Sequence, residues 1–222
     1  SYNNNPNKKD VETIIKIISA AEKPIDEIER ICVINLDGKV IASTKEKFIG
    51  KDVSEKDFFK SGLINEEVFL VEEDNRFKLF VSGPFILDGE VLGVGVTVVG
   101  IDYLNQITSN RQGLGETGEV YLVNKNREMI TPSRFIKFSS ILEKQINTEN
   151  VKNCFKHKSL SEEEIKNNHS QVMMFKDYRE IDVIGTHSYL PEMDWCLLAE
   201  IDRNEALKEM TENISDIWIF TI

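Results

Sequence analysis

The sequence predicts an α+β protein made of two copies of one antiparallel-sheet plan behind an N-terminal helix. The first sign is a change of period near residue 30, where helical spacing of apolar residues gives way to apolar runs broken by the tight-turn pairs Asp37-Gly38 and Asp88-Gly89. The second is an internal repeat. Val33-Ile34-Asn35-Leu36-Asp37-Gly38-Lys39-Val40-Ile41 lines up with Leu122-Val123-Asn124-Lys125-Asn126-Arg127-Glu128-Met129-Ile130, and Val98-Val99-Gly100-Ile101-Asp102 with Leu198-Ala199-Glu200-Ile201-Asp202.

Taken in order, Asn5 and Pro6 suit the cap and first position of a helix. Val11, Ile14, Ile15, Ile18, Ala21, Ile25 and Ile28 then keep helical spacing, which predicts an amphipathic helix kinked at Pro24 and a first segment of residues 1–30. A hairpin follows around Asp37-Gly38, where the turn needs the positive φ that glycine tolerates. Residues 44–76 are polar with Phe48, Phe58, Phe59 and Phe69, and read as a helical or looped cover with inward aromatics. Leu79 to Leu87 and Val91 to Ile101 form the second hairpin; the latter run is too short to span a bilayer and reads as a fully buried strand. The first domain is thus 31–104 and the second 105–202. In the second, Glu143 to Ser170 reads as a solvated helix and loop, and Asp182 to Leu190 as a strand. Asp202 and Glu205 suit a capped helix start, and Leu207, Met210, Ile214 and Ile217 keep the spacing of a coiled-coil seam, although an ordinary helix packed on its own domain has the same pattern.

With 27 Lys+Arg against 38 Asp+Glu over 222 residues, the net charge of −11 excludes a phosphate-binding surface as the main business of the chain, and no nucleic-acid partner is expected. Three cysteines, Cys32, Cys154 and Cys196, are too few and too scattered for a disulfide scaffold, and an odd count leaves at least one free thiol. The last nine residues, from Ile214 through Trp218 and Phe220 to Ile222, turn abruptly apolar. They read as the first turns of a truncated membrane helix, to which a C-terminal helix within 203–222 leads; a buried terminal helix has the same signature.

Among motifs, Gly113-Leu114-Gly115-Glu116-Thr117-Gly118 fits the dinucleotide template, but its glycines precede a strand instead of linking a strand to a helix, so a turn explains it better. Cys154 and His157, with His169, supply too few ligands for zinc, and His187 has no evident partner. No metal ion and no cofactor is expected, and no contiguous catalytic motif is present. The one cluster that points to recognition is Lys56, Phe58, Phe59, Phe69, Phe80, Ser82 and Asp102: a cation, several rings and a strand-end carboxylate able to line one pocket for a small polar molecule. Read otherwise, the rings are core and Lys56 and Asp102 are surface charges.

Gly115-Glu116-Thr117-Gly118-Glu119-Val120-Tyr121-Leu122-Val123-Asn124 and Ile49-Gly50-Lys51-Asp52-Val53-Ser54-Glu55-Lys56-Asp57-Phe58-Phe59, with Gly83-Pro84 and Gly100-Ile101-Asp102 in support, resemble the double Cache (tandem PAS-like) extracytoplasmic sensor domains of prokaryotic transmembrane receptors. The resemblance spans residues 11–215. It implies a long N-terminal helix followed by two stacked PAS-like domains with antiparallel sheets, ligand in the membrane-distal copy, membrane helices on both sides and a homodimer in the full-length receptor. Amino-acid-binding members carry Arg-x-Trp-Tyr, a later Tyr and an Asp, which match Lys56, Phe58, Phe59, Phe69 and Asp102 here. Asp102 keeps the carboxylate, whereas Lys56 lacks the planar fork of Arg.

The expected function is therefore a non-catalytic input domain of a sensor histidine kinase, outside the cytoplasm, that binds an amine, an amino-acid-like solute or a small organic acid and signals through the C-terminal helix. Alternatives are the input domain of a chemoreceptor or of a diguanylate cyclase or phosphodiesterase, a protein-interaction module with no small ligand, and a hydrolytic enzyme with an unseen site.

Overall fold

The structure, a computed structural model, describes residues 8–136, 140–161, 163–164 and 172–208. They fall into two units, residues 1–103 and 104–222. The fold is mixed α+β, an N-terminal helix with two antiparallel sheets.

Helix α1 (Lys8–Glu22) opens the first unit. Its Val11, Ile14, Ile15 and Ile18 pack on Ile31, Val33, Ile41 and Ala42 of one sheet face. The helix ends at Glu22 instead of kinking at Pro24. Proline cannot donate to a helical carbonyl and disfavours helical geometry at the residue before it, so Ile25 belongs to a turn and Ile28 opens strand β1 (Ile28–Asn35). The sheet also contains β2 (Val40–Ser43), β3 (Glu67–Glu73), β4 (Arg76–Leu87) and β5 (Glu90–Gly100), in the order β2-β1-β5-β4-β3 with every pair antiparallel.

The turn at Asp37-Gly38 forms as expected, with Gly38 at φ 79°, where a Cβ would lie 2.5 Å from Ser54. Asp88-Gly89 joins β4 to β5 with φ 52° and 82°, the two-residue turn that follows the twist of a hairpin. Strand β3 was not expected within the cover of residues 44–76. It joins β4 through Asp74-Asn75, both at positive φ, so this third hairpin turns on residues able to adopt that geometry without glycine. The cover itself is a 3-10 turn (Glu46–Phe48) and helix α2 (Asp57–Gly62), which brings Phe58 and Phe59 inward. Strand β5 is not buried on both faces: Val94, Val96 and Val98 are sealed in the core with Cys32, Ile34 and Phe80, while Gly95, Thr97 and Val99 between them are partly exposed. Gly93 is required by close approach, since a Cβ there would lie 2.1 Å from the Ile34 carbonyl.

Helix α3 (Asp102–Ser109) leads into the second unit, whose sheet holds β6 (Glu119–Val123), β7 (Met173–Lys176), β8 (Asp182–Leu190) and β9 (Trp195–Asp202) in the order β6-β9-β8-β7. The repeat read from the sequence has a matching backbone. Asn35 and Asn124 each accept a bond at Oδ1 from the amide four residues on, at 2.8 and 2.9 Å, and Arg127, at φ 63°, takes the place of Gly38. Helix α4 (Glu149–Lys156), capped by Thr148, lies on this sheet, so the insertion is less solvated than expected: Asn150, Val151 and Cys154 are fully buried.

That packing explains a further departure. Cys154 and Cys196, 42 residues apart in sequence, form a buried disulfide between α4 and β9, while Cys32 remains a buried free thiol. Sequence separation hid a contact that a helix lying across a strand creates, and it removes Cys154 as a metal ligand. Residues 203–208 are helical. Asn5, Pro6, His169, Met210, Ile214, Ile217 and the apolar stub lie outside the described residues. Among the described residues no helix is long and apolar enough to cross a membrane.

Candidate ligand site

The first unit encloses a cavity of about 280 Å³ between the sheet and its cover. Alternation along β1 and β5 places Cys32, Ile34, Val96 and Val98 on its floor, and Phe48, Phe58 and Phe80 supply aromatic walls. The Phe58 and Phe80 rings lie 4.9 Å apart. Lys51, Asp52, Lys56 and Glu72, all solvent-exposed, add charge where the cavity meets water. Lys51 Nζ sits 4.4 Å from the Phe48 ring centre, a cation–π contact that holds positive charge at this edge. Asp52 accepts the Ser54 amide, chiefly for which its carboxyl is held below the ordinary range.

At one end the wall is ionic. Arg30, only 5 % exposed, stacks over Phe48 at 3.7 Å and gives both terminal nitrogens to Glu73, at 2.6 and 2.8 Å. Lys78, 4 % exposed, bonds the same Glu73 carboxylate at 3.1 Å and Glu29 at 2.7 Å. Burial pushes Glu73 up, but the bonds from Arg30 and Lys78 outweigh it and hold the carboxyl below its ordinary value. Two buried cations are tolerable here because two carboxylates compensate them.

Of the residues singled out from the sequence, Lys56, Phe58 and Phe80 line this cavity. Phe59 and Phe69 pack in the same core cluster away from the wall, and Ser82 is buried with its hydroxyl directed to the Glu67 carbonyl at 3.4 Å. Asp102 is exposed in the first turn of α3 and is not on the wall. The sequence reading missed Arg30, Phe48, Lys51, Asp52 and Glu73 as a group. The available signal was Glu29-Arg30, a charged pair set inside an otherwise apolar strand.

The second unit holds a polar cluster of another kind. Glu200, 6 % exposed, accepts from Tyr121 at 2.9 Å and Asn150 at 3.3 Å. Asn150 Nδ2 also donates to the Thr186 carbonyl, which orients its Oδ1 to accept from His187 Nδ1 at 2.7 Å, so His187 does have a partner. Burial raises the Glu200 carboxyl to about 7 despite these bonds, with Asp177 and Glu119 adding to the rise. Burial, then the neighbouring His157, lowers His187 to about 4. The glycine motif holds no nucleotide geometry. Its Glu116 and Thr117 amides bond Glu205, and its Gly115 and Gly118 carbonyls bond Arg134.

The Cache domain family model matches residues 2–210, almost the whole chain. The chain belongs to the Cache family. Members are extracytoplasmic, non-catalytic ligand-binding modules of membrane receptors. Among solved structures this Cache domain is similar to the extracellular domain of mmHK1S-Z2, assigned as a histidine kinase, with TM-score 0.66 and 14 % identity over 90 % of this chain and 84 % of that one. It is similar to the Vibrio cholerae histidine kinase DctB sensor domain, with TM-score 0.58 and 13 % identity over 89 % and 80 %. It is also similar to the Pseudomonas aeruginosa PAO1 amino acid chemoreceptor PctB ligand-binding domain, with TM-score 0.59 and 11 % identity over 96 % and 79 %. At such identities the likeness speaks to fold alone. No curated protein matches the chain.

Proposed function

We propose that this Cache domain is the input domain of a transmembrane sensor histidine kinase and that it binds a small solute in the cavity of its first unit. The observation that carries the reading is the cavity itself: about 280 Å³, aromatic on its walls and charged at its edge, a size suited to a metabolite. A buried disulfide in the second unit supports a location outside the reducing cytoplasm. Lys56, Phe58 and Phe80 contact the solute in this reading, and its binding shifts the helix that begins at Arg203. In a dimer of the full-length receptor that helix then hands the shift to a membrane helix.

A chemoreceptor is the second reading, favoured by the likeness to PctB, whose structure was solved with L-Arg. Both readings are tested at the cavity by thermal-shift screening of amines, amino acids and short organic acids. A ligand at a hundredfold its Kd adds roughly 2.7 kcal/mol to stability. Phe58→Trp, which extends a ring into the space, is expected to abolish that shift, and Lys56→Ala to reduce it. A hit whose shift survives Phe58→Trp unchanged places the ligand elsewhere. Fusing the domain, with its flanking membrane helices, to a kinase reporter then separates the two receptor types.

A further inference from the structure

We propose that Glu73 is a built-in stand-in for the ligand, and that the true ligand is a small carboxylate with an apolar body that takes Arg30 from it. The proposal rests on the cavity being the ligand site, and it adds the ligand's chemistry and the way binding moves the protein.

Arg30 and Glu73 both line the cavity, so their bidentate pair already forms part of the surface a ligand meets. A guanidinium fork selects a planar carboxylate, and here one of the chain's own carboxylates fills it. The two partners are unequal. Arg30 is 5 % exposed, stacked on Phe48, and its buried Nε has no partner among the described residues, whereas the Glu73 side chain is 22 % exposed at the end of an edge strand. Glu73 can therefore turn to water, while Arg30 must keep an anion. Lys78 gives up its 3.1 Å bond to Glu73 in the exchange but is not stranded, because Glu29 still pairs with it at 2.7 Å.

A ligand carboxylate that replaces Glu73 conserves the charge count in the wall and adds contact between its apolar body and Phe48, Phe58, Phe80 and Val98. A neutral ligand cannot make this exchange without stranding Arg30, and an amine is repelled by it. Glu73 is the last residue of β3 before the Asp74-Asn75 turn, and its pairing to Arg30 ties that hairpin tip to the floor strand β1. Exchange unties the tip. The ligand's advantage is thus set by competition with one side chain, which also defines the two states that it selects between.

The test uses three probes of nearly one shape, 4-methylpentanoate, 4-methylpentanamide and isoamylamine, titrated calorimetrically into the wild-type chain and Glu73→Gln. Removing the competing charge while keeping a hydrogen-bonding side chain is expected to tighten 4-methylpentanoate about tenfold or more, to leave the amide unchanged and to leave the amine without detectable binding. Hydrogen exchange at Asp74, Asn75 and Arg76 is expected to quicken when the carboxylate binds the wild-type chain. The proposal is overturned if the carboxylate binds Glu73→Gln no more tightly, if the amide gains as much, or if the tip amides are protected instead. Binding of the amine, or of the amide at least as tightly as the carboxylate, in a manner abolished by Phe58→Trp overturns it and leaves the cavity reading intact. Absence of any ligand from the wider screen removes both.

Discussion

Glu200→Gln isolates the most unusual proton in the second unit. The Glu200 carboxyl is raised from 4.5 to about 7, so the folded chain holds a proton that the unfolded chain has released. Its stabilising contribution is complete below about pH 4.5 and is lost as pH rises through 7. The difference is worth about 3 kcal/mol at about 1.4 kcal/mol for each unit. His187 runs the other way. Lowered from 6.5 to about 4, it contributes above pH 6.5 and loses that contribution as pH falls through 4; discounted for solvent screening, this is about 2 kcal/mol. The two slopes oppose one another between pH 6.5 and 4.5, so the wild-type unit gains a little stability between pH 7 and 6.5, changes little to 4.5 and weakens below it. Gln can accept from Tyr121 and Asn150 as the protonated acid does. Glu200→Gln is therefore expected to uncover the His187 slope, with stability falling steadily from pH 6.5 to 4, and His187→Gln to uncover the rise contributed by Glu200. Urea unfolding followed by tryptophan fluorescence reads this unit, because Trp195 is buried in β9 and neither tryptophan falls in residues 1–103. Parallel wild-type and Glu200→Gln curves between pH 4.5 and 7 would refute the buried acid.

The remaining expectations concern packing. The Cys154–Cys196 bond closes a 42-residue separation, and Cys154→Ser with Cys196→Ser is expected to cost about 4 kcal/mol by loop entropy, measured by urea unfolding. The wild-type chain is expected to show one reactive thiol, Cys32, and only in denaturant, read with a thiol-reactive chromophore. Gly93→Ala drives a methyl into the Ile34 carbonyl and is expected to destabilise the first unit by about 3 kcal/mol, visible as a lowered Tm; a neutral result would mean the β1–β5 contact is looser than described. Asn35→Ala removes the side-chain bonds to the Lys39 amide and Asp37, and Asn124→Ala those to the Asn126 and Glu128 amides and the Glu128 carboxylate, and losses of about 1 to 2 kcal/mol in their respective units are expected from calorimetry.

Much of the fold was legible because local chemistry and tertiary structure agree. Asp37-Gly38, Asp88-Gly89 and the Asn35/Asn124 repeat each demand a particular backbone, and that backbone forms. Strand β3 was harder because residues 67–73 combine three acids with Val68, Phe69, Leu70 and Val71, and as an edge strand it shows no clean alternation of buried and exposed positions. The end of α1 was missed because Ile25 and Ile28 continue a helical spacing that Pro24 had already broken. The site divided along the same lines. Lys56 and Phe58 lie in one short local stretch that the eye can read, but Arg30 meets Glu73 only after the chain has crossed the sheet, and linear spacing says nothing about such a meeting. Cys154 and Cys196 are hidden for the same reason.

The repeat also shows how two copies of one plan reach different chemistry. Through the alignment of Val33 with Leu122, Arg30 corresponds to Glu119 and Cys32 to Tyr121; through that of Val98 with Leu198, Gly100 corresponds to Glu200. Arg30 and Glu119 are equally buried, with opposite charge. The cation must be met by an anion, which Glu73 provides from an edge strand free to give it up. Glu119 is met by donors, the Arg134 amide and the Tyr178 hydroxyl, and the paired Glu200 opposite it keeps its own proton. In the first copy Gly100 adds no side chain, and a Cβ there would lie 3.5 Å from Glu29, the partner that keeps Lys78 neutralised. In the second, Glu200 fills that position and draws Tyr121, Asn150 and His187 into one network. The first unit is therefore built to exchange anions and the second to hold protons. Arg30→Gln should alter the response to carboxylates and leave the pH profile of the second unit alone, while Glu200→Gln should do the reverse. A crossed effect in calorimetric titration or in the pH series would mean that the two copies do not divide the work.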